Sequence, residues 1–166
     1  QATGRRKHDA VLGRIAPATA AGFFLTMIWM PLFSQEMFWL CLAVIFGALG
    51  CLAWSALVLS RSRGNGWSWL ALSLHAGWLS LAAFLNLAQT IVAYEVLPTD
   101  GMLGWSAVLF LLAGALLLGL NHAMRGNLAY VAAALWGLVA VYARQSGSEL
   151  DGSSTAAWLA IGIAVV

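Results

Sequence analysis

At 166 residues the chain is long enough for one domain, yet 62% of it is hydrophobic, only 8% is charged and the formal net charge is +2. A soluble domain carries roughly 25% charged residues, so these values, with a mean hydropathy of +0.87, exclude an ordinary soluble protein and leave an integral membrane protein. Apolar runs of about 20 residues recur along the chain, and continuous runs favour helices over alternating barrel strands, which predicts an all-α polytopic helix bundle of six spans, the last incomplete.

The chain opens on Gln1 and a basic run, Arg5-Arg6-Lys7. The run resembles a signal-peptide n-region, but no small-residue cleavage site followed by a polar mature chain appears, so the first apolar segment is read as retained. The first span is predicted over 11–33. Pro31 near its end should kink or terminate the helix, free the carbonyl of Met27 and open space beside Trp29. After the link Ser34-Gln35-Glu36, the second span (37–59) carries both cysteines, Cys41 and Cys51. They stand about 15 Å apart along a helix axis, too far to bridge, and without a CxxC spacing they read as packing residues.

The third span, 67–94, is the unusual one. At 100° per residue His75, Trp78, Ala82, Asn86 and Gln89 fall within roughly 80° of one another. Carboxamide and imidazole groups turned to lipid would each cost several kcal/mol, so the stripe is expected to face other helices or a cavity. Three readings compete: interhelical hydrogen bonding by His75, Asn86 and Gln89; a ligand cavity with Trp78 as its wall and Asn86 as a polar contact; and axial ligation by His75 of a haem or chlorophyll-type metal. No carboxylate is predicted within a span to orient His75, so acid–base catalysis and enzyme function are not expected.

The fourth span is predicted over 103–120 and the fifth over 128–143. Ala129, Ala133 and Gly137 form a small-residue repeat on the fifth, expected to admit a close neighbour. The sixth apolar stretch, 154–166, is short for a crossing, and both chain ends are read as incomplete. The links carry the expected turn residues, and no room is left for a soluble domain.

Charge sorts by side. Arg5, Arg6, Lys7, Arg14, Arg61, Arg63 and Arg125 share one side with Asp9 alone, while Glu36, Glu95, Asp100, Glu149 and Asp151 share the other with Arg144. Seven of the eight Lys/Arg on one side place the N-terminus in the cytoplasm by the positive-inside rule. Trp39, Trp67, Trp69 and Trp105, near span ends, read as headgroup-level anchors; Trp29, Trp54, Trp78 and Trp136 are left for packing or ligand contact. His8 and His122 fall on the basic face, where water and phospholipid headgroups are the expected neighbours.

Two segments resemble a known family. Thr26-Met-Ile-Trp29-Met-Pro31-Leu-Phe33 is similar to the third-helix pattern Asn-x-x-Trp-x-Pro-x-Phe of the TspO/MBR tryptophan-rich sensory proteins, and Trp78-Leu-Ser-Leu-Ala82-Ala-Phe-Leu85-Asn86 to their fifth-helix pattern Trp-x-x-x-Ala-x-x-Leu-Asn. Arg125-Gly-Asn-Leu-Ala-Tyr130 and Leu135-Trp136-Gly-Leu-Val-Ala-Val-Tyr142 resemble the extra C-terminal spans of longer bacterial members. The resemblance implies a helical bundle with an internal cavity for tetrapyrroles, sterols or other flat apolar ligands, and a sensory role. By match, Trp29, Trp78, Ala82 and Asn86 contribute to that cavity, with Thr26 standing where the family usually has Asn; Gln89 joins the ligand-binding set from the stripe. His75 stands where the family has Pro or aromatic residues, and the family's first two helices have no counterpart here.

The leading expectation is a non-enzymatic bacterial inner-membrane binding protein holding a flat hydrophobic ligand, a porphyrin or chlorophyll-type tetrapyrrole, between the first and third spans. The alternative is an accessory structural subunit of a larger pigment- or redox-protein membrane complex, with His75 as a pigment or haem ligand. Expected partners are membrane lipids, the planar ligand, and a larger complex or a homo-oligomer, with no nucleic acid. Transport is the weakest class, because no charge is predicted deep within a span and no pair of broken helices is evident.

Overall fold

Hydrocarbon offers the backbone no partner but itself, and the computed structural model is helical throughout its spans. It describes residues 2–62, 66–98, 102–146, 155, 158 and 161–163, with side chains from residue 10 onward apart from 103 and 145. Five helices follow in order: α1 (Ala2–Ser34), α2 (Phe38–Arg61), α3 (Trp67–Ala93), α4 (Leu103–Ala123) and α5 (Leu128–Ser146). Four stretches are long and apolar enough to cross a membrane, Ala10–Ser34, Phe38–Arg61, Trp67–Ala93 and Gly104–Ala123, and Leu128–Arg144 is a shorter apolar helix. The chain is thus a multi-pass membrane protein, an all-α helix bundle. Of the sixth predicted segment, Thr155, Trp158 and residues 161–163 are helical. The rest of that segment, the side chains of Arg5, Arg6, Lys7, His8 and Asp9, and the link residues Arg63, Asp100, Glu149 and Asp151 lie outside the described residues.

Pro31 does not stop α1 where it stands. The helix runs on to Ser34, and the exit is stabilised locally: Ser34 Oγ donates to the Pro31 carbonyl at 2.9 Å and Gln35 Nε2 donates to it at 3.2 Å. A left-handed Glu36 (φ 57°) then turns the chain into α2. Proline removes its own N–H and strains the turn before it, not the one after, so a further turn is compatible with a proline this close to the end.

The helices lie close because small residues meet at their crossings, as lipid supplies little hydrophobic drive between helices and packing must do so instead. A Cβ added to Gly22 of α1 would stand 2.6 Å from Leu52 Cγ of α2. One added to Gly77 of α3 would strike the Tyr130 carbonyl oxygen and sit 3.0 Å from Ala133 Cβ of α5, and one on Gly137 would come 2.5 Å from Leu81 Cδ1. The expected close approach on the Ala133 and Gly137 face of α5 is therefore present, and its partner is α3. The buried core repeats the theme, with Ala48, Ala53, Ala56, Ala76, Ala83 and Ala134 interleaved with Leu49, Leu52, Leu59, Leu72 and Leu79.

Helix α3 is the centre of the bundle, packed along α2 and α5 and crossed by α4. Helix α1 packs along α2 alone: among the described residues no α1 Cα lies within 8 Å of α3. Polar groups at the α3–α5 junction are closely paired. Asn127 caps α5 by accepting from the backbone N–H groups of Ala129 (3.1 Å) and Tyr130 (3.2 Å), while its Nδ2 donates to Ser60 Oγ (2.8 Å) and Ser73 Oγ (2.7 Å). Ser80 Oγ donates to the Ala76 carbonyl, which leaves the Tyr130 hydroxyl to donate to Ser80 at 2.8 Å.

The tryptophans near span ends are exposed or half-buried. Trp67 is 86% exposed, Trp39 stacks on Tyr94 with centroids 5.7 Å apart, and the indoles of Trp69 and Trp105 donate to Ser60 Oγ and the Pro98 carbonyl. Trp136 and Trp54 are exposed on the outer surface, the Trp54 ring lying 5.9 Å from the Arg14 guanidinium carbon.

Candidate functional site

Helices α1 and α3 each lie against α2, and among the described residues no α1 Cα comes within 8 Å of α3, so at the level of the backbone the seam between them over α2 is a groove. Two side-chain contacts bridge it. Trp29 Nε1 donates to Asn86 Oδ1 at 2.8 Å, and Phe23 meets His75 edge to face, with centroids 5.3 Å apart at 86°. The bridged positions are those the helical repeat brings onto one line of α3: Asn86 and His75 differ by about 20° at 100° per residue.

Asn86 is 3% exposed, and its Nδ2 has no hydrogen-bond partner. Among the described residues the other buried side-chain polar atom without one is Asn121 Oδ1, near the end of α4. An amide N–H buried in hydrocarbon without an acceptor costs about 1–3 kcal/mol. Asn86 is otherwise well fixed: its own carbonyl accepts from Thr90 Oγ1 at 2.8 Å, and Oδ1 is held by Trp29. The orphaned donor thus belongs to an amide held through its oxygen by the Trp29 indole, with no acceptor of its own.

Trp29 is half-buried and tilted against Phe33 (4.7 Å), which meets Phe38 and, through it, Tyr94. A chain of aromatic rings therefore lies at the end of the groove next to the α1–α2 turn. Thr26, half-buried on α1, spends its hydroxyl on the Gly22 carbonyl at 2.9 Å, so its donor is already used within its own helix. Ala82 is half-buried against the core and leaves space between the two bridges. Trp78 is 50% exposed and Gln89 is exposed. The expectation that the whole stripe turns inward holds for Asn86, and His75 leans on α1. It fails for Trp78 and Gln89, which lie further round α3 and form the outer lip rather than the wall. Such a lip is tolerable for Trp, whose ring is mostly apolar, and for Gln89 near the helix end, where the side chain reaches the interface.

His75 makes no hydrogen bond among the described residues, and no group of three His, Cys, Asp or Glu capable of holding a metal forms among them. A metal at His75 would be bound as a single axial ligand or not at all. His75 and Asn86 are about 16 Å apart along α3 at 1.5 Å per residue, so axial ligation and an Asn86 contact describe two positions in the groove. Sequence reading missed Phe23, Phe38 and Tyr94, and gave Phe33 only as part of the family-like segment; apolar and aromatic residues of a span carry no signal of which neighbour they touch until the helix pairing is known.

The family model described as TSPO-like protein matches residues 1–166. No curated protein and no solved structure matches the chain.

Proposed function

Because the chain belongs to the TSPO-like family, we propose that it is a non-enzymatic membrane binding protein that holds a flat hydrophobic ligand of the tetrapyrrole type in the groove between α1 and α3. The observation that carries the reading is the buried, fixed and unpartnered Nδ2 of Asn86 beside the Trp29 indole. A carbonyl or carboxylate on a ligand edge would accept from it, while Trp29 and the Phe33 ring supply flat apolar contact and Ala82 supplies room. Affinity then comes mainly from apolar burial, about 25 cal/mol per Å², with one polar contact setting orientation. Trp78 at the lip adds a ring that can close over the ligand from the lipid side. A porphyrin whose metal is held by His75 instead would sit about three turns further toward the start of α3, against Phe23.

The membrane of the proposal is a bacterial inner membrane, and the charge distribution supports an N-terminus in the cytoplasm. Cysteines introduced at Ser62 and Gln35 should label from opposite sides in intact cells; labelling of Ser62→Cys from outside would reverse the orientation. The ligand reading is tested by titrating a free-base porphyrin into purified protein and following its absorbance. Saturable binding weakened by both Asn86→Leu and Trp78→Ala is expected. Binding of equal strength in all three proteins would remove the groove as the site, and no saturable binding would remove the ligand class.

A further inference from the structure

At the other end of the bundle α2 finishes on Arg61, α4 finishes at Ala123, and the turn through Arg125 and Gly126 leads into α5. Arg61 Nε donates to the Ala123 carbonyl at 3.1 Å, which ties the two helix ends together and holds the guanidinium at the mouth of a cavity of about 460 Å³. Arg61, His122, Ala123, Arg125 and Gly126 line it. Arg125 (φ 62°) and Gly126 (φ 75°) both adopt left-handed backbone, so the chain doubles back tightly and brings Arg125 round to the same cavity as Arg61.

A cation near a helix C-terminus has an ordinary role, because it offsets the partial negative charge of the last carbonyls. Arg61 performs it with one of its five N–H donors. The rest of the Arg61 guanidinium, and the whole Arg125 guanidinium, have no acceptor among the described residues, and neither arginine has an ion-pair partner there. The described carboxylates Glu36 and Glu95 belong to links at the opposite end. Two guanidinium groups and an imidazole therefore converge on one open cavity with their donors unspent. Planar N–H forks of this kind match a tetrahedral oxyanion, and the exposed Trp67 with Trp69 puts the cavity at headgroup depth. Basic pockets between spans at that depth are suited to anionic lipid headgroups.

We propose that this cavity binds a phosphate group, presented by an anionic phospholipid headgroup or by a small soluble phosphate. The site is at the far end of the bundle from Asn86, so porphyrin binding does not bear on it. The test offers the purified full chain, stripped of lipid in an uncharged detergent, either phosphatidylglycerol or phosphatidylcholine and counts bound lipid by native mass spectrometry; inorganic phosphate is titrated by calorimetry in a second arm. The losing partner in Arg125→Gln is a side chain with no contact to break, whereas Arg61→Gln also frees the Ala123 carbonyl, so Arg125→Gln is the decisive variant and Arg144→Gln, on the opposite side, the charge-matched control.

Wild type should retain phosphatidylglycerol over phosphatidylcholine by about tenfold, and Arg125→Gln should remove most of that preference, as expected for loss of one charge-assisted pair. Preference for the anionic lipid with no heat from inorganic phosphate assigns the site to lipid. Phosphate binding that Arg125→Gln weakens assigns it to a soluble phosphate. Equal retention of both lipids with no phosphate binding, or equal losses in Arg125→Gln and Arg144→Gln, overturns the proposal.

Discussion

Replacing Asn86 by Leu separates the two things a buried carboxamide can do. In the unliganded protein the substitution removes the 2.8 Å bond from Trp29 Nε1, and interhelical hydrogen bonds in membranes average about 0.6 kcal/mol and reach about 1.7. It also removes an unpaired buried N–H, which costs about 1–3 kcal/mol while it is there. The half-buried indole N–H left behind returns part of that cost. The balance is within about 1 kcal/mol of zero on the stabilising side, a change in the thermal midpoint of no more than about 4 °C for a chain of this length. Ligand affinity moves the other way, because a donor placed for a ligand oxygen contributes about 0.5–1.5 kcal/mol to a neutral acceptor and more to a carboxylate, so the dissociation constant should rise about tenfold. Thermal unfolding in detergent and porphyrin titration on the same preparation read both numbers. A midpoint lowered by many degrees with unchanged affinity would refute the reasoning: Asn86 would then be a structural tie, and its free amide irrelevant to binding.

Trp29→Phe keeps the ring but takes away the donor, leaving Asn86 with both ends of its amide unpaired; a loss of about 1–3 kcal/mol is expected, and adding Asn86→Leu should recover most of it in the same melting assay. Gly77→Ala drives a methyl group into the Tyr130 carbonyl, which is backbone, whereas Gly137→Ala meets only the tip of Leu81. The first should cost about 1–3 kcal/mol and the second clearly less, as measured by thermal midpoints. Asn127→Ala loses a helix cap and two interhelical bonds, about 2 kcal/mol together; Asn127→Ser, which keeps a capping oxygen, should recover about half.

The helices were legible because composition and span length are dictated by the bilayer, and the observed ends fall within a few residues of those expected, α1 excepted. Its helix reaches back to Ala2, since a polar extension beyond the membrane has no hydropathy signal. Asn127 was readable in principle: a carboxamide immediately before an apolar helical run is a capping signal, but in the sequence it stood only as a turn residue beside Gly126. The stripe on α3 was read as one face, and the helix repeat did bring Asn86 and His75 into line. What periodicity could not tell is how wide an arc a neighbour covers. Helix α1 stands off from α3, covers only the Asn86 edge, and leaves Trp78 and Gln89 outside.

That stand-off divides the bundle into two kinds of junction. Between α3 and α5, glycines at 77 and 137 bring the backbones together, and Asn127, Ser73, Ser80 and Tyr130 have found partners. Between α3 and α1 the backbones stay apart, the bridge is one hydrogen bond and one ring contact, and an amide is left unsatisfied. Opening the first junction would break several packed and bonded contacts at once. Opening the second would break one bond of about 0.6 kcal/mol and a single aromatic edge contact of about 0.5–1.5 kcal/mol, an amount a flat ligand can offset by burying a small part of its surface. Of these two junctions the one beside Asn86 is therefore the less complete and the one that opens at lower cost, which makes it, rather than the better-packed centre, the point of entry in the ligand reading proposed above.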